Sequence, residues 1–151
     1  MSVLKWGKPL IEWAPSTNGE AGTGASWKAF PEIKKDTAKL NIAKGDKKEA
    51  LEEGGGVVDV RYGTGKNTLV LTIYLQKGAE RPIEHNDGIV PGEYAVRITP
   101  EDATMEGYLM DRCSVTAEEE WTAEEGGLIT YTFEGLKPKA GKVVKPYTKG
   151  A

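Results

Sequence analysis

From Asn67 the chain reads NTLVLTIYLQ, in which Leu69, Leu71, Ile73 and Leu75 alternate with Val70, Thr72, Tyr74 and Gln76. A period of two is that of a β-strand with one buried face, so this stretch predicts the clearest strand of the protein. Just before it, Val58, Val60 and Tyr62 alternate with Asp59 and Arg61. The intervening GTGKN, residues 63–67, is short and rich in residues that tolerate positive φ, so the two runs predict a β-hairpin. A second long hairpin is predicted in RCSVTAEEEWTAEEGGLITYTFEGL. There Cys113, Val115, Ala117, Glu119 and Trp121 share one parity, Ile129, Tyr131 and Phe133 another, and Ser114, Thr116, Glu118 and Glu120 fall on the outer face.

Weaker signals fill the rest. Ala38, Leu40 and Ile42 alternate with Thr37, Lys39 and Asn41, a strand with one buried face. DKKEALEEGGG is ambiguous: Asp46 with Glu49 fits a capping box and Gly54 a helix stop, but sheet pairing overrides so weak a propensity, and the reading leans to extended chain. Asn86-Asp87-Gly88 and Pro91-Gly92 are turn signals, and Tyr94, Val96 and Ile98 share one face of a short strand. In TPEDATMEG, Thr99 as N-cap, Pro100 at the first helical position, early acids and Gly107 as a stop predict one short helix. The small, polar APSTNGEAGTGA, residues 14–25, reads as a flexible surface loop between Trp13 and Trp27. Together these predict a mainly β protein, an antiparallel β-barrel or sandwich with long hairpins and one short helix. It is read as a single domain over 1–151, with loop 14–25 and a basic C-terminal arm over 137–151.

Composition agrees with a turn-rich domain, since 19 Gly and 8 Pro stand beside 38% hydrophobic and 28% charged residues. A chain of 151 residues buries enough surface to need no disulfide or metal staple. The net charge of -3 is too acidic for a dedicated nucleic-acid binder that must neutralise phosphates. Charge is nevertheless uneven: Glu118, Glu119, Glu120, Glu124 and Glu125 cluster, whereas lysines crowd 137–149, and such opposite-signed regions can steer self-association. No stretch approaches the roughly 18 apolar residues of a membrane-spanning helix. MSVLKWGKPLIEWAP lacks the apolar core of a signal peptide, which predicts folding in a cytoplasm.

Candidate chemistry is sparse. A phosphate-binding loop needs G-x-x-x-x-G-K-[ST], but with Gly65-Lys66 as the Gly-Lys pair, Val60 stands where the first Gly belongs and Asn67 where the hydroxyl belongs. The stretch also leads into a strand, not a helix, so its glycines are read as turn residues and no cofactor is expected. His85 is the lone histidine, beside a turn, and has no second His or paired Cys with which to hold a metal. Cys113 reads as a buried small hydrophobe. Carboxylate pairs are plentiful but strand spacing fixes no gap between them, and Trp6, Trp13 and Trp27 suit core or interface better than a stacking platform for sugars.

Residues from about 30 to 147 resemble a tail-tube protein of tailed bacteriophages, of the small prophage type. The resemblance is carried by the order AKLNIAKGDKKEALEEGGGVVDVRYGTGKNTLVLTIYLQKG, then PIEHNDGIVPGEYAVRITPEDATMEGYLMDRCSVTAEEEWT, then ITYTFEGLKPKAGKVVKPYT. It implies a β-barrel or sandwich with a flanking helix, shared with the haemolysin-coregulated tube protein of type VI secretion. It also implies subunits that form rings, usually hexameric, stacking with other tail proteins into a hollow tube through which DNA passes without specific binding. Assembly would take place in the bacterial cytoplasm and the product would be a virion tail, with no membrane partner. The self-assembly residues it suggests are Gly63, Gly65 and Lys66, then Glu101, Asp102, Met105 and Tyr108, then Glu118 and Glu120. The leading expectation is therefore a non-enzymatic structural subunit. A monomeric carbohydrate-binding module using Trp6, Trp13 or Trp27 is the alternative, and a hydrolase with an acidic pair a distant third.

Overall fold

The computed structural model describes residues 7–17, 19–21, 27–31, 33–34, 37–45, 47–62, 65–75, 81–102, 104–124 and 126–148. Among these residues eleven strands run in chain order as β1 (Leu10–Thr17), β2 (Glu20–Ala21), β3 (Lys28–Ala29), β4 (Lys39–Ile42), β5 (Lys47–Leu51) and β6 (Val57–Tyr62), followed by β7 (Asn67–Tyr74), β8 (Tyr94–Thr99), β9 (Gly107–Thr122), β10 (Gly126–Gly135) and β11 (Lys145–Tyr147). All strand pairs are antiparallel. The main sheet follows the order β2-β1-β8-β9-β10-β7-β4, with β11 beside β9 and β3 beside β1, while β5 and β6, among the described residues, pair only with each other.

Inward-facing residues of alternating strands supply the core, including Leu69, Leu71 and Ile73 of β7, Val115 of β9 and Tyr131 and Phe133 of β10. A sheet of this width must curl to cover that face, and the segment after β3 fixes the curl. Phe30 N–H donates to the Ile11 carbonyl at 3.0 Å, at the β1 end of the sheet. Four residues on, Lys34 N–H donates to the Thr72 carbonyl at 2.7 Å and Ile33 bridges Ile73, at the β7 end. One short segment thus touches both ends of the sheet order and produces a curled half-barrel. Phe30 fills the seam, with ring centroids 5.6 Å from Tyr131, 5.9 Å from Phe133 and 6.3 Å from Trp13.

The β9–β10 hairpin forms as its parity predicts, with Phe133 opposite Val115 and Tyr131 opposite Ala117. Asn86 bridges Ile89 across Asp87 and Gly88, both at positive φ (52° and 89°), the two-residue turn whose backbone twist suits a hairpin. Residues 47–51 are extended, as expected, and Gly92 has the positive φ that a Pro-Gly turn requires.

Several expectations are corrected. The hairpin joining 57–62 to 69–75 does not exist: β6 turns back onto β5, and both edges of β7 are taken by β10 and β4. The 52–56 turn closes the real hairpin, with Glu52 N–H on the Gly56 carbonyl and Gly55 N–H on the Glu52 carbonyl, both at 2.9 Å. No helix occurs among the described residues of 99–107. Thr99 ends β8 and Asp102 closes a single turn, accepting from Thr104 N–H at 3.0 Å and the Thr104 hydroxyl at 2.6 Å, with Met105 N–H on its carbonyl. A segment of seven residues gains too few helical hydrogen bonds to offset nucleation once strands on both sides are paired. Gly107 opens β9 instead of stopping a helix, because a Cβ there would lie 2.0 Å from the Ile98 carbonyl oxygen. Residues 14–17 continue β1, with Ala14 fully buried, and the chain turns at Gly19 into β2. Within β4 only Leu40 packs on the core, while Ile42 is exposed.

Candidate assembly surface

Gly65 stands where two chain segments cross. A Cβ on it would fall 1.8 Å from the Ala43 carbonyl oxygen, and Ala43 N–H donates to the Lys66 carbonyl at 3.1 Å. That crossing is the root of an arm, the β5–β6 hairpin, which leaves the sheet between β4 and β7. The glycine serves close backbone approach, not a phosphate and not a turn between paired strands.

Every residue of β5 and β6 is exposed. Opposed pairs Lys47 and Tyr62, Lys48 and Arg61, Glu49 and Val60, and Ala50 and Asp59 sort the side chains onto two faces. One face carries Val58, Val60 and Tyr62 at 67%, 37% and 55% exposure together with Lys47 and Glu49, which pair at 2.7 Å; the other carries Lys48, Ala50, Asp59 and Arg61. Leu51, 60% exposed, and Val57 lie at the bulge toward the arm's end. Two-stranded hairpins are marginal in water, and here an apolar face and two unpaired edges are all presented to solvent. Covering such a face is worth about 1.5–3 kcal/mol for each apolar side chain fully buried.

At the opposite end of the sheet the β9–β10 hairpin outruns the core. Ala117 is its last buried inward residue on β9; Glu118, Glu119, Glu120, Trp121 and Thr122 are all exposed, Trp121 by 72%. Its base is braced by residues distant in sequence. Arg81 donates to both carboxylate oxygens of Glu119, at 2.5 and 2.7 Å. Gly88 N–H donates to His85 Nδ1 at 3.0 Å, so Nε2 bears the ring proton and donates to Glu119 Oε1 at 3.0 Å. Beneath them the buried Tyr131 hydroxyl donates to the Ile83 carbonyl at 2.6 Å and accepts from Ile83 N–H at 3.2 Å.

The Arg81 and His85 hydrogen bonds hold the Glu119 carboxyl down from its ordinary 4.5 to about 2. A depressed carboxylate stabilises the fold above its unfolded pKa, and that contribution fades as pH falls through the folded value. The stability difference between wild type and Glu119→Gln is therefore expected to shrink from pH 4.5 to about 2 and to vanish below. Thermal unfolding of both proteins across that range measures it; parallel curves would rule out the brace as a titrating contact.

The expected assembly residues fall at two ends of the sheet. Strand register places Gly65 and Lys66 at the arm root and Glu101, Asp102, Met105 and Tyr108 in or beside the β8–β9 connection, at the same end. Lys66 Nζ lies 3.8 Å from Glu134, and the Thr104 hydrogen bonds lower the Asp102 pKa. Glu118 and Glu120 sit at the other end, on the face of β9 opposite that of Trp121, and Gly63 lies outside the described residues. Sequence reasoning missed the apolar arm face and Trp121 as surface features. The only signal for Trp121 was its position two pairs beyond the last small apolar residue of its parity.

Other candidate chemistry is occupied. Trp13 is buried, and the Arg97 guanidinium lies 4.2 Å from the Trp27 ring and 5.0 Å from that of Tyr147, with Arg97 Nε donating to Glu12 at 3.0 Å. These tryptophans serve core and clamp; Trp6 lies outside the described residues. A shallow open groove is lined by Gly19, Glu93, Arg112, Lys137, Pro138 and Lys139, with Arg112 paired with Glu93 at 2.8 Å and Lys139 with Glu20 at 3.2 Å. Cys113 is buried, and burial pushes its thiol up to about 12, away from the thiolate form. Among the described residues no group of three His, Cys, Asp or Glu is gathered as a metal site.

No family model and no curated protein matches the sequence. The fold, however, has a counterpart. It is similar to the sheath/tube terminator in the cryo-EM structure of the extracellular contractile injection system PVC in its extended state. The two share a TM-score of 0.59 at 12% identity, covering 93% of this chain and 94% of that one. Coverage is nearly complete in both directions, so the likeness extends over the whole curled sheet and is not confined to one hairpin.

Proposed function

We propose that this protein is a non-catalytic structural subunit of a phage-tail-tube-like assembly, stacking as rings into a hollow conduit. The observation that carries the reading is the fully exposed, two-faced β5–β6 arm, set on a fold similar to that of a sheath/tube terminator. A chain that ends its life as a monomer has no use for such a face; a chain that polymerises must keep one exposed until it meets a neighbour.

The outward face of β9 and β10 presents Ser114, Thr116, Glu118 and Glu120 beside Thr130, Thr132 and Glu134. The carboxylates of such a wall repel phosphates, and Lys66, 3.8 Å from Glu134, has its charge set against one of them, which suits passage of DNA without binding. Partners are then further copies in a ring, hexameric as the resemblance implies, and other tail components. Assembly takes place in the bacterial cytoplasm and the product is the tail of a particle. Light scattering after size exclusion, followed by negative-stain imaging over a range of concentration and salt, is expected to show rings or short tubes. A monodisperse monomer under every condition would overturn the reading.

A further inference from the structure

We propose that residues 85–89 form a histidine-gated cover on one edge of β9, closed while the His85 ring is neutral and lifted when the ring gains a second proton. The device stands on hydrogen-bond geometry and holds whether or not the chain assembles.

The edge is open to a cover because β8 stops short. Its last pair with β9 is Tyr94 opposite Cys113, whereas β10 follows the other edge of β9 as far as Thr122. Beyond Cys113 the edge that β8 leaves is taken, among the described residues, by the turn at 86–89: Ile89 bridges Thr116, and the Ala117 N–H donates to the Gly88 carbonyl at 3.0 Å. The turn is anchored on both flanks and loose between them. Ile83 and Val90 are buried, but Glu84, Asn86, Asp87 and Ile89 are exposed, so lifting the turn takes little apolar surface out of the core.

His85 decides the state. The Gly88 amide can only donate, so its 3.0 Å bond to Nδ1 requires an unprotonated nitrogen there, and Nε2 carries the ring proton toward Glu119. A second proton must go to Nδ1, where it sets two donors face to face. The bond to Glu119 becomes charge-assisted on protonation, so the ring stays with Glu119 and the turn gives way. Among the groups packed against the ring, Glu119 of β9 keeps its charge, its carboxyl held at about 2, and Arg81 pairs with both of its oxygens. The Tyr131 hydroxyl of β10 is taken up by Ile83, and Glu84 and Asp87 adjoin the ring in the chain. Gly88 links ring to strand: its N–H meets His85 and its carbonyl holds Ala117, so losing the first bond loosens the second. Acid thereby turns a covered edge into an open one, a backbone row able to pair with added chain.

His85 is the one histidine of the chain, so its ring can be followed by NMR without ambiguity. Between about pH 8 and 5, where histidine ordinarily changes charge, protection of the Gly88 and Ala117 amides against hydrogen exchange, corrected for the intrinsic rate, is expected to fall by about tenfold in step with the ring's titration. Amides of β7 are expected to hold their protection over the same range. His85→Gln, neutral at every pH and able both to accept from Gly88 and to donate to Glu119, is expected to keep the two amides protected throughout. Protection that stays flat through the ring's titration would overturn the proposal, as would an equal loss in His85→Gln or nitrogen shifts that place the neutral ring's proton on Nδ1. Should His85→Gln leave the turn open at every pH, the wild-type titration and the ring tautomer decide the matter alone.

Discussion

Replacing residues 47–62 with a short Asn-Gly turn is expected to give a protein that unfolds within a few degrees of the wild type and no longer assembles. The first half follows from packing. No arm residue is buried, and the β5–β6 pair shares no strand pairing with the main sheet. Removing exposed residues that touch no core changes stability by about 0.5 kcal/mol or less, and shortening a loop returns about 0.6 kcal/mol for each halving of its length. The root survives, because Ile42 still pairs with Asn67 and Ala43 N–H still reaches the Lys66 carbonyl, the geometry of an ordinary hairpin end. The second half follows from function, since the excised segment holds the apolar face proposed to meet the neighbour. Thermal unfolding and light scattering on the same sample measure both halves. Loss of stability by ten degrees or more would show the arm to be part of the fold, and unchanged assembly would remove it from the interface.

What could be read from the residues, and what could not, divides along a physical line. The β9–β10 hairpin was legible because Val115, Ala117, Tyr131 and Phe133 carry their parity on both sides of one turn, and strands that adjoin in sequence pair most readily. The turn at Asp87-Gly88 was legible for a local reason, since two successive residues there tolerate positive φ. Parity says which face of a strand is apolar, but not which edge it pairs with or what covers it. For Val58, Val60 and Tyr62 the alternation was real, yet β6 pairs backward with β5 and its apolar face meets solvent. An exposed apolar face and a core face have the same signature. Thr99 and Pro100 gave sound helix-start signals that lost to strand pairing on either side, and Gly65 answered to a carbonyl more than twenty positions earlier in the chain. The Arg81, His85 and Glu119 brace was invisible for the same reason: its members are joined only by the folded sheet.

Phe30→Ala is expected to cost about 3–5 kcal/mol, the range for deleting a buried phenylalanine, out of a total stability of about 5–15 kcal/mol. At about 2–4 °C per kcal/mol for a chain of this size, melting is expected to fall by roughly 10 °C. The site justifies the upper part of the range. Phe30 touches three other aromatic rings, Trp13, Tyr131 and Phe133, and it lies on the one segment that hydrogen-bonds to both β1 and β7. Its loss opens a cavity at the seam where neither flank can collapse without parting the sheet. Phe30→Leu, which keeps much of the volume, is expected to recover about half of the loss, and equal effects of the two substitutions would show that the seam is not packed by this ring. Paired with arm excision, the variant separates two properties that a failed assembly alone would confuse. Below its lowered melting temperature Phe30→Ala retains the arm and is expected to assemble, whereas the arm-deleted protein is stable and is expected to remain a monomer. If Phe30→Ala failed to assemble while still folded, the contact between copies would depend on the curvature that the seam imposes as well as on the exposed arm.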